Sequence, residues 1–237
     1  AAAFSRTLDF VRNLVSAGAG ERTGLTMCLT ALNLGEATDL VLLASRLGVR
    51  RVHFLTVFPR GRAGAFWTEF APEVTAYQAT VLRLWELRNS PEVEVQVSGC
   101  DLDLMFDDTG DGIPPCPLGH LLFLDSDGTA CPCELLTDDQ FRLGCLAESR
   151  LEALIQGSRL EDLRSMAARR QHTLIECLGC EARGCCQAAC PARAYLLHGD
   201  FGQTDDLCSV RRAVHAETSA WMRSRCLASE EAFPCVA

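Results

Sequence analysis

The first hundred residues follow the apolar spacings of alternating helices and strands. Phe4, Leu8, Val11 and Val15 are separated by four, three and four positions, which predicts an amphipathic helix at the start of the chain. Charged residues interrupt any apolar core of a signal peptide there. Because the chain also begins without Met, we expect either that a leader was removed or that the chain is part of a longer protein.

Two apolar runs, residues 23–33 and 50–58, predict buried strands, and "EVEVQV" at 92–97 alternates as a half-exposed strand does. Between them lie two helical patterns. The first ends where Gly48 can cap it, and the second has Pro72 in its first turn. This order predicts parallel β/α units. Two interpretations remain open: a small open α/β layer, or the end of a barrel whose beginning is absent.

The chain after Cys100 predicts a loop-rich region. Residues 121–133, "LLFLDSDGTACPC", are typical of a hairpin with a tight Asp-Ser-Asp-Gly turn. Residues 148–170 are helical in pattern, with a break at Gly157. Residues 177–208 have little apolar periodicity and too little apolar surface to order themselves. We therefore expect a group bound to their thiols to organise them.

Composition narrows the classes of function. The 237 residues are 48% hydrophobic, enough to bury a sizeable core in one large domain or two of ordinary size. The net charge of −9 argues against binding to nucleic acid or to an anionic membrane surface. No apolar run approaches the about 20 residues that a membrane helix needs. We expect a cytoplasmic protein without a nucleic-acid or membrane partner.

Cysteine is the most informative residue type, because 13 of the 14 cysteines lie at or after Cys100. A disulfide framework is typical of short secreted chains, which this is not. Seven cysteines have a regular spacing, and one four-ligand zinc site would leave three of them over. Two four-thiolate iron–sulfur clusters need eight. The seven are Cys116, Cys133, Cys177, Cys180, Cys186, Cys190 and Cys208.

The pattern C-x(9–15)-G-x4-C, a gap, C-x2-C-x5-C-x3-C, a gap and C resembles the SPASM domain of radical SAM enzymes; Gly128 is its glycine. "TGLTMCLTALN" and "LGVRRVHFLTVFPRGRA" resemble the last strands of the barrel that precedes it. The resemblance implies an α/β fold, with the C-terminal portion of a partial (β/α)6 barrel followed by a loop-rich α+β iron–sulfur domain. The implied domains are residues 1–99, residues 100–215 and a C-terminal helix and tail at 216–237.

The resemblance also implies two [4Fe–4S] clusters. The first would use Cys116, Cys133 and Cys190, with Cys100 as the candidate for its fourth ligand. The second would use the remaining four of the seven: Cys177, Cys180, Cys186 and Cys208. The other cysteines have plainer interpretations. We expect a core residue at Cys28, bystanders at Cys131, Cys145 and Cys185, and spare thiols at Cys226 and Cys235.

Three further side chains have two interpretations each. Glu134 directly follows Cys133, where the sulfatase-maturing branch of the family has an Asp that accepts the substrate proton; a solvated carboxylate is the alternative. Arg60 and Arg62 follow the second strand, where barrel active sites form, and would suit a carboxylate of SAM or of the substrate. A solvated turn explains them equally well.

One departure from the family is large: the CxxxCxxC motif of the SAM cluster and the glycine-rich SAM-binding segment do not occur in the 237 residues. Two hypotheses follow. The chain is the C-terminal part of a radical SAM/SPASM maturase acting on a peptide or protein, with SAM and a third [4Fe–4S] cluster only in the complete protein. The missing part is then an N-terminal half or a separate radical SAM chain. Alternatively, it is a non-catalytic iron–sulfur protein for electron transfer or peptide binding.

Overall fold

A computed structural model describes residues 2–103, 116 and 118–228, with side chains described for 3–103, 116 and 118–224. The chain divides into two compact units. The first comprises Ala1–Phe106 and Ser209–Ala237, and the second comprises Asp107–Cys208. The domain limits expected from the sequence stay predictions, and the limit at residue 215 lies inside one continuous helix, Cys208–Ala228.

The first unit is built on a parallel sheet of three strands in the order β1-β2-β3. Leu25 of β1 is paired with Val52 of β2, and Val52 with Val97 of β3. The parallel β/α units predicted from the sequence are therefore confirmed. The strands are β1 Gly24–Leu29, β2 Arg51–Thr56 and β3 Gln96–Gly99. The helices before the second unit are α1 Ala2–Ser16, α2 Ala37–Leu47, α3 Gly61–Ala65, α4 Trp67–Phe70 and α5 Val74–Asn89.

Helices α2 and α5 pack on the sheet and bury one face of each strand. Val52 and Phe54 of β2 are fully buried, while Arg51, His53 and Leu55, which alternate with them, are exposed. The prediction of fully buried strands is therefore wrong, because successive side chains of a strand point to opposite faces and the described helices cover only one. Cys28 shares the exposed face and is not the core residue expected.

The helix ends differ in how well the sequence predicted them. Gly48 caps α2 with φ of +76°, a left-handed conformation that glycine adopts without a Cβ clash. Helix α5 begins after Pro72, with Glu73 as its N-cap accepting a 2.8 Å hydrogen bond from the Ala76 amide. The predicted apolar face of α1 is buried only in part: Val11 is buried, Leu8 and Val15 are half-buried, and Phe4 is 61% exposed.

A buried polar network lies at the carboxyl end of this sheet. The Tyr77 hydroxyl shares a 2.9 Å hydrogen bond with Thr56 Oγ1 and donates to Asp101 at 3.3 Å. Arg211 Nε donates to the same Asp101 carboxylate at 2.8 Å. Arg211 belongs to α10, Cys208–Ala228, so the network ties this helix to the sheet within the first unit.

The second unit contains an antiparallel sheet of β4 Phe123–Leu124, β5 Thr129–Cys131 and β6 Gly144–Cys145. The Gly128 amide donates to the Asp125 carbonyl at 3.0 Å in the turn before β5. Gly128 has φ of +83°, which a side chain would strain. The hairpin predicted from residues 121–133, with its tight turn, is therefore confirmed.

Among the described residues of the second unit, the α-helices are α6 Leu151–Ile155, α7 Ser158–Thr173, α8 Arg183–Cys186 and α9 Pro191–His198. The predicted break at Gly157 is confirmed, since Gly157 precedes α7 as its N-cap. Tyr195 stacks on Phe201 with ring centroids 4.7 Å apart, and Phe141 meets Tyr195 edge-on at 5.0 Å. In the described part of the chain, no helix combines the length and apolarity needed to cross a membrane.

Candidate iron–sulfur site

Three of the cysteines assigned to the first cluster share one apolar core in the second unit. Cys116, Cys133 and Cys190 all pack against it. Cys133 follows β5, and Cys190 is the N-cap residue of α9. The core itself is formed by Leu118, Leu136, Phe141 and Ala192. Residues that are 74 positions apart in sequence thus meet on a common surface.

A hydrogen bond joins Cys116 and Cys190 and changes both thiols. It raises the pKa of Cys116 and lowers the pKa of Cys190 to about 7. The Cys190 Sγ also accepts a 3.4 Å hydrogen bond from the Arg193 amide in the first turn of α9. Burial raises the pKa of Cys133. The pair loses its first proton more readily than an ordinary thiol, which favours the thiolate that binds metal.

Three cysteines assigned to the second cluster are also neighbours. Cys177 ends a short 3-10 helix, Ile175–Cys177, and packs with Leu174 and Ala188. Its thiol interacts electrostatically with Cys208 and Cys180, and burial raises its pKa. Arg193 holds this region together, since its guanidinium donates two hydrogen bonds to the Asp206 carboxylate at 2.6 and 3.0 Å. That ion pair joins the helix of Cys190 to the segment just before Cys208.

The structure gives Cys185 and Cys186 different surroundings. Cys185 Sγ donates to the Ala182 carbonyl at 3.2 Å, and the thiol interacts electrostatically with Cys180. Cys186 lines a pocket of about 110 Å³ whose wall also includes Cys116. The assignment of Cys186 rather than Cys185 to the second cluster rests on the x5 spacing and stays a prediction.

Cys100 lies in the first unit, directly after β3. It has φ of +51°, and its thiol hydrogen-bonds with the Tyr77 hydroxyl beside Asp101. Burial raises the pKa of this thiol, so the ionised form that a cluster needs is disfavoured there. The assignment of Cys100 as fourth ligand stays a prediction.

The remaining candidates lie as follows. Cys131 is buried in β5, and Cys145 Sγ donates to the Asp127 carbonyl at 3.7 Å. Glu134 is exposed, and its proposed role as a base stays a prediction. Arg60 precedes α3 and the exposed Arg62 lies in it. The side chain of Cys226 and the whole of Cys235 lie outside the described residues.

The donor set fits iron–sulfur clusters in its chemistry. Thiolate sulfur is the protein ligand of such clusters, and each thiolate binds its own iron. Among the side chains that the structure describes, no three His, Cys, Asp or Glu converge tightly enough to hold a single metal ion. Two cysteine groups nevertheless form in one unit, and Arg170 beside them has a buried Nε without a hydrogen-bond partner among the described residues.

Arg170 is a candidate functional residue that the sequence predictions did not include. It is 3% exposed at the end of α7. A signal exists in the sequence: Leu160, Leu163 and Ala167 precede it at spacings of three and four, and Arg170 continues that apolar face after three more residues. A charged residue on an apolar helix face predicts either a buried ion partner or a functional contact.

The link between Cys186 and Cys190 is conformationally strained. Gln187, Ala188 and Ala189 all have left-handed backbone angles, with φ of +48°, +65° and +57°. Each such residue costs roughly 1–2 kcal/mol when it carries a Cβ. The segment is therefore held in place by its surroundings, including the hydrogen bond at 3.2 Å that Arg170 donates to the Ala188 carbonyl.

Replacing Ala189 with Gly should stabilise this link by about 1 kcal/mol, because strain relief of roughly 1–2 kcal/mol exceeds the entropy cost of glycine of roughly 0.5–1 kcal/mol. We expect trypsin to cut about fivefold more slowly after the exposed Arg183. Ala168→Gly in the right-handed helix α7 is the matched control and should destabilise. Equal or faster cleavage of Ala189→Gly would argue against the strain.

Comparison with known proteins supports an iron–sulfur domain in this chain. Residues 116–181 match the family SPASM, described as an iron-sulfur cluster-binding domain. The resemblance inferred from the cysteine spacing is thus confirmed over that segment, which carries four of the seven spaced cysteines. No curated protein matches the sequence.

Two solved structures are similar in fold. One is a histidine-tagged form of the radical SAM enzyme anSMEcpe with bound AdoMet. It superposes on this chain with a TM-score of 0.64 at 12% sequence identity, over 88% of this chain and 55% of that chain. Native anSMEcpe with bound AdoMet superposes with a TM-score of 0.64 at 13% sequence identity, over 85% of this chain and 56% of that chain. The chain spans a little over half the length of these proteins. Its mixed α/β fold is therefore similar to theirs over that length.

Proposed function

We propose that this chain is the C-terminal part of a radical SAM/SPASM maturase that modifies a peptide or protein. The observation that carries the proposal is the arrangement of cysteines in the second unit. Two groups form. In one, the thiols of Cys116 and Cys190 are hydrogen-bonded, and in the other, Cys177 interacts electrostatically with Cys208. The SPASM match from residue 116 to 181 and the fold similarity to anSMEcpe support it.

The cysteines would hold two [4Fe–4S] clusters in the groups expected from the sequence. Cys116, Cys133 and Cys190, with Cys100 as a candidate, would bind the first, and the other group would bind the second. When bound, such clusters supply one-electron transfer at potentials set by their surroundings. The Arg193–Asp206 ion pair would fix α9 and hence Cys190. Glu134 is exposed beside Cys133 and would accept a proton from a bound substrate.

The complete protein would add what this chain lacks. SAM and a third [4Fe–4S] cluster would come from an N-terminal half or from a separate radical SAM chain. In the proposal the protein is cytoplasmic, its substrate is a peptide or protein, and nucleic acid and membranes are not partners. The exposed face of the parallel sheet, with His53 and Ser98 hydrogen-bonded at 3.0 Å, would line the interior of the completed barrel.

The second candidate is a non-catalytic iron–sulfur protein for electron transfer or peptide binding. It is favoured by one observation, the lack of a CxxxCxxC motif among the 237 residues. The DNA upstream of the codon for Ala1 separates the two. An in-frame CxxxCxxC supports the maturase, whereas a stop codon without such a motif in an adjacent gene supports the second candidate.

Anaerobic reconstitution tests the metal site directly. The full chain should hold about eight iron and about eight sulfide, as two [4Fe–4S] clusters require. Zinc bound to four thiolates without acid-labile sulfide would refute the cluster proposal. The same sample should form no 5′-deoxyadenosine from SAM under reductant, and turnover would reveal a SAM site within this chain.

A further inference from the structure

Arg170 is buried close to both cysteine groups of the second unit. Its guanidinium donates hydrogen bonds to the carbonyls of Phe201, Ala188 and Gln203, the last two at 3.2 and 3.1 Å. Its Nε has no partner among the described residues and is shielded from solvent. A buried N–H without an acceptor is costly, and a sulfur of a cluster bound to the neighbouring thiolates would supply one.

The charges around Arg170 indicate which group that is. The guanidinium interacts electrostatically with Cys116 and Cys190 of the first cysteine group and with Cys177 of the second. The buried Asp205 is the other acidic neighbour. Burial lowers the pKa of Arg170, and these four groups oppose that effect. An arginine remains protonated in proteins, so a fixed positive charge lies beside both cysteine groups.

The backbone contacts explain how this charge is kept in place. Helix α7 delivers Arg170 one turn before Leu174, whose side chain packs with Cys177 and Ala188. The three carbonyl acceptors lie in the links that precede Cys190 and Cys208. A flexible lysine could not span them in the same way, because only the planar guanidinium presents several donors in a fixed geometry.

We propose that Arg170 raises the reduction potential of both iron–sulfur clusters. It would do so through its buried positive charge and through its Nε–H, which has no partner among the described residues. The proposal rests on the proposed function, since it needs bound clusters. Each cluster gains negative charge on reduction, and a nearby fixed cation stabilises the reduced form. Net charge and hydrogen bonds to sulfur are among the factors that set these potentials.

The test compares three variants of the full chain after anaerobic reconstitution: Arg170→Met, Arg170→Lys and the control Arg169→Met. Arg169 neighbours Arg170 on α7 but is exposed, so its charge is screened by water. Potentials are measured by electron paramagnetic resonance during redox titration, and iron and sulfide are measured in each sample. We expect Arg170→Met to lower the reduced-to-oxidised ratio at least tenfold at fixed potential, a shift of about 59 mV.

Arg169→Met should leave the potentials unchanged, and Arg170→Lys should stay closer to wild type than Arg170→Met because it keeps the charge. Wild-type potentials in a fully loaded Arg170→Met would overturn the proposal. If Arg170→Met cannot bind iron, the iron content of Arg170→Lys decides the question. Normal iron content in Arg170→Lys would support a role for the charge. Equal loss of iron in both variants would show that only the carbonyl contacts matter. Absence of iron from the wild-type chain would instead refute the proposed function.

Discussion

We expect Cys186→Ala to remove about four iron atoms per chain, and Cys185→Ala to leave the iron content at the wild-type level. Loss of one thiolate leaves one iron of a cluster under-coordinated. We expect the segment 177–208 to depend on bound metal for much of its order, so the loss should spread along it. Cys185 has its own partner, the Ala182 carbonyl at 3.2 Å. An alanine fills most of the space of that small thiol at modest cost.

Iron and acid-labile sulfide are measured after anaerobic reconstitution, together with proteolysis between Cys177 and Cys208. Cys177→Ala should behave like Cys186→Ala and become protease-sensitive, and Cys145→Ala should behave like wild type. The reverse pattern, with iron lost from Cys185→Ala and kept in Cys186→Ala, would show that the x5 register is wrong. The electrostatic contact between Cys185 and Cys180 makes this test necessary.

The second large effect concerns the stability of the first unit. Arg211→Met should destabilise it by about 3–5 kcal/mol, because it leaves the Asp101 carboxylate buried without its guanidinium partner. Both side chains are over nine-tenths buried, and their hydrogen bond is 2.8 Å long. Asp101→Ala should have a similar effect. The double variant should lose less than the sum of the two single losses, since the residues form one interaction.

Tryptophan fluorescence during urea unfolding measures this effect without interference from the second unit. All three tryptophans, Trp67, Trp85 and Trp221, belong to the first unit. Arg223→Met is the matched control, because Arg223 is exposed on the same helix, and its effect should stay within about 0.5 kcal/mol. A loss below about 1 kcal/mol for Arg211→Met would mean that water or a neighbour compensates Asp101.

The cysteine spacing was enough to infer a SPASM-like domain, because a cluster site needs a fixed residue type at fixed intervals, and both are visible in a sequence. The resemblance that this spacing supports implied that Cys116 and Cys190 share a cluster, and the structure brings these two together. The spacing gave no sign of the Arg193–Asp206 ion pair, which depends on how α9 packs against the loop that follows it. The charge of Arg170 was visible, but its three carbonyl acceptors were not.

Local sequence patterns by themselves determined the order of β1, α2, β2, α5 and β3, the turn at Gly128 and the break at Gly157. These features depend on neighbours within a few residues. Only the tertiary structure decided that one face of the parallel sheet is exposed, that Cys28 lies on it, and that Cys100 hydrogen-bonds with Tyr77. The physical reason is that burial and electrostatic environment are set by contacts between residues far apart in sequence, and local patterns do not specify them.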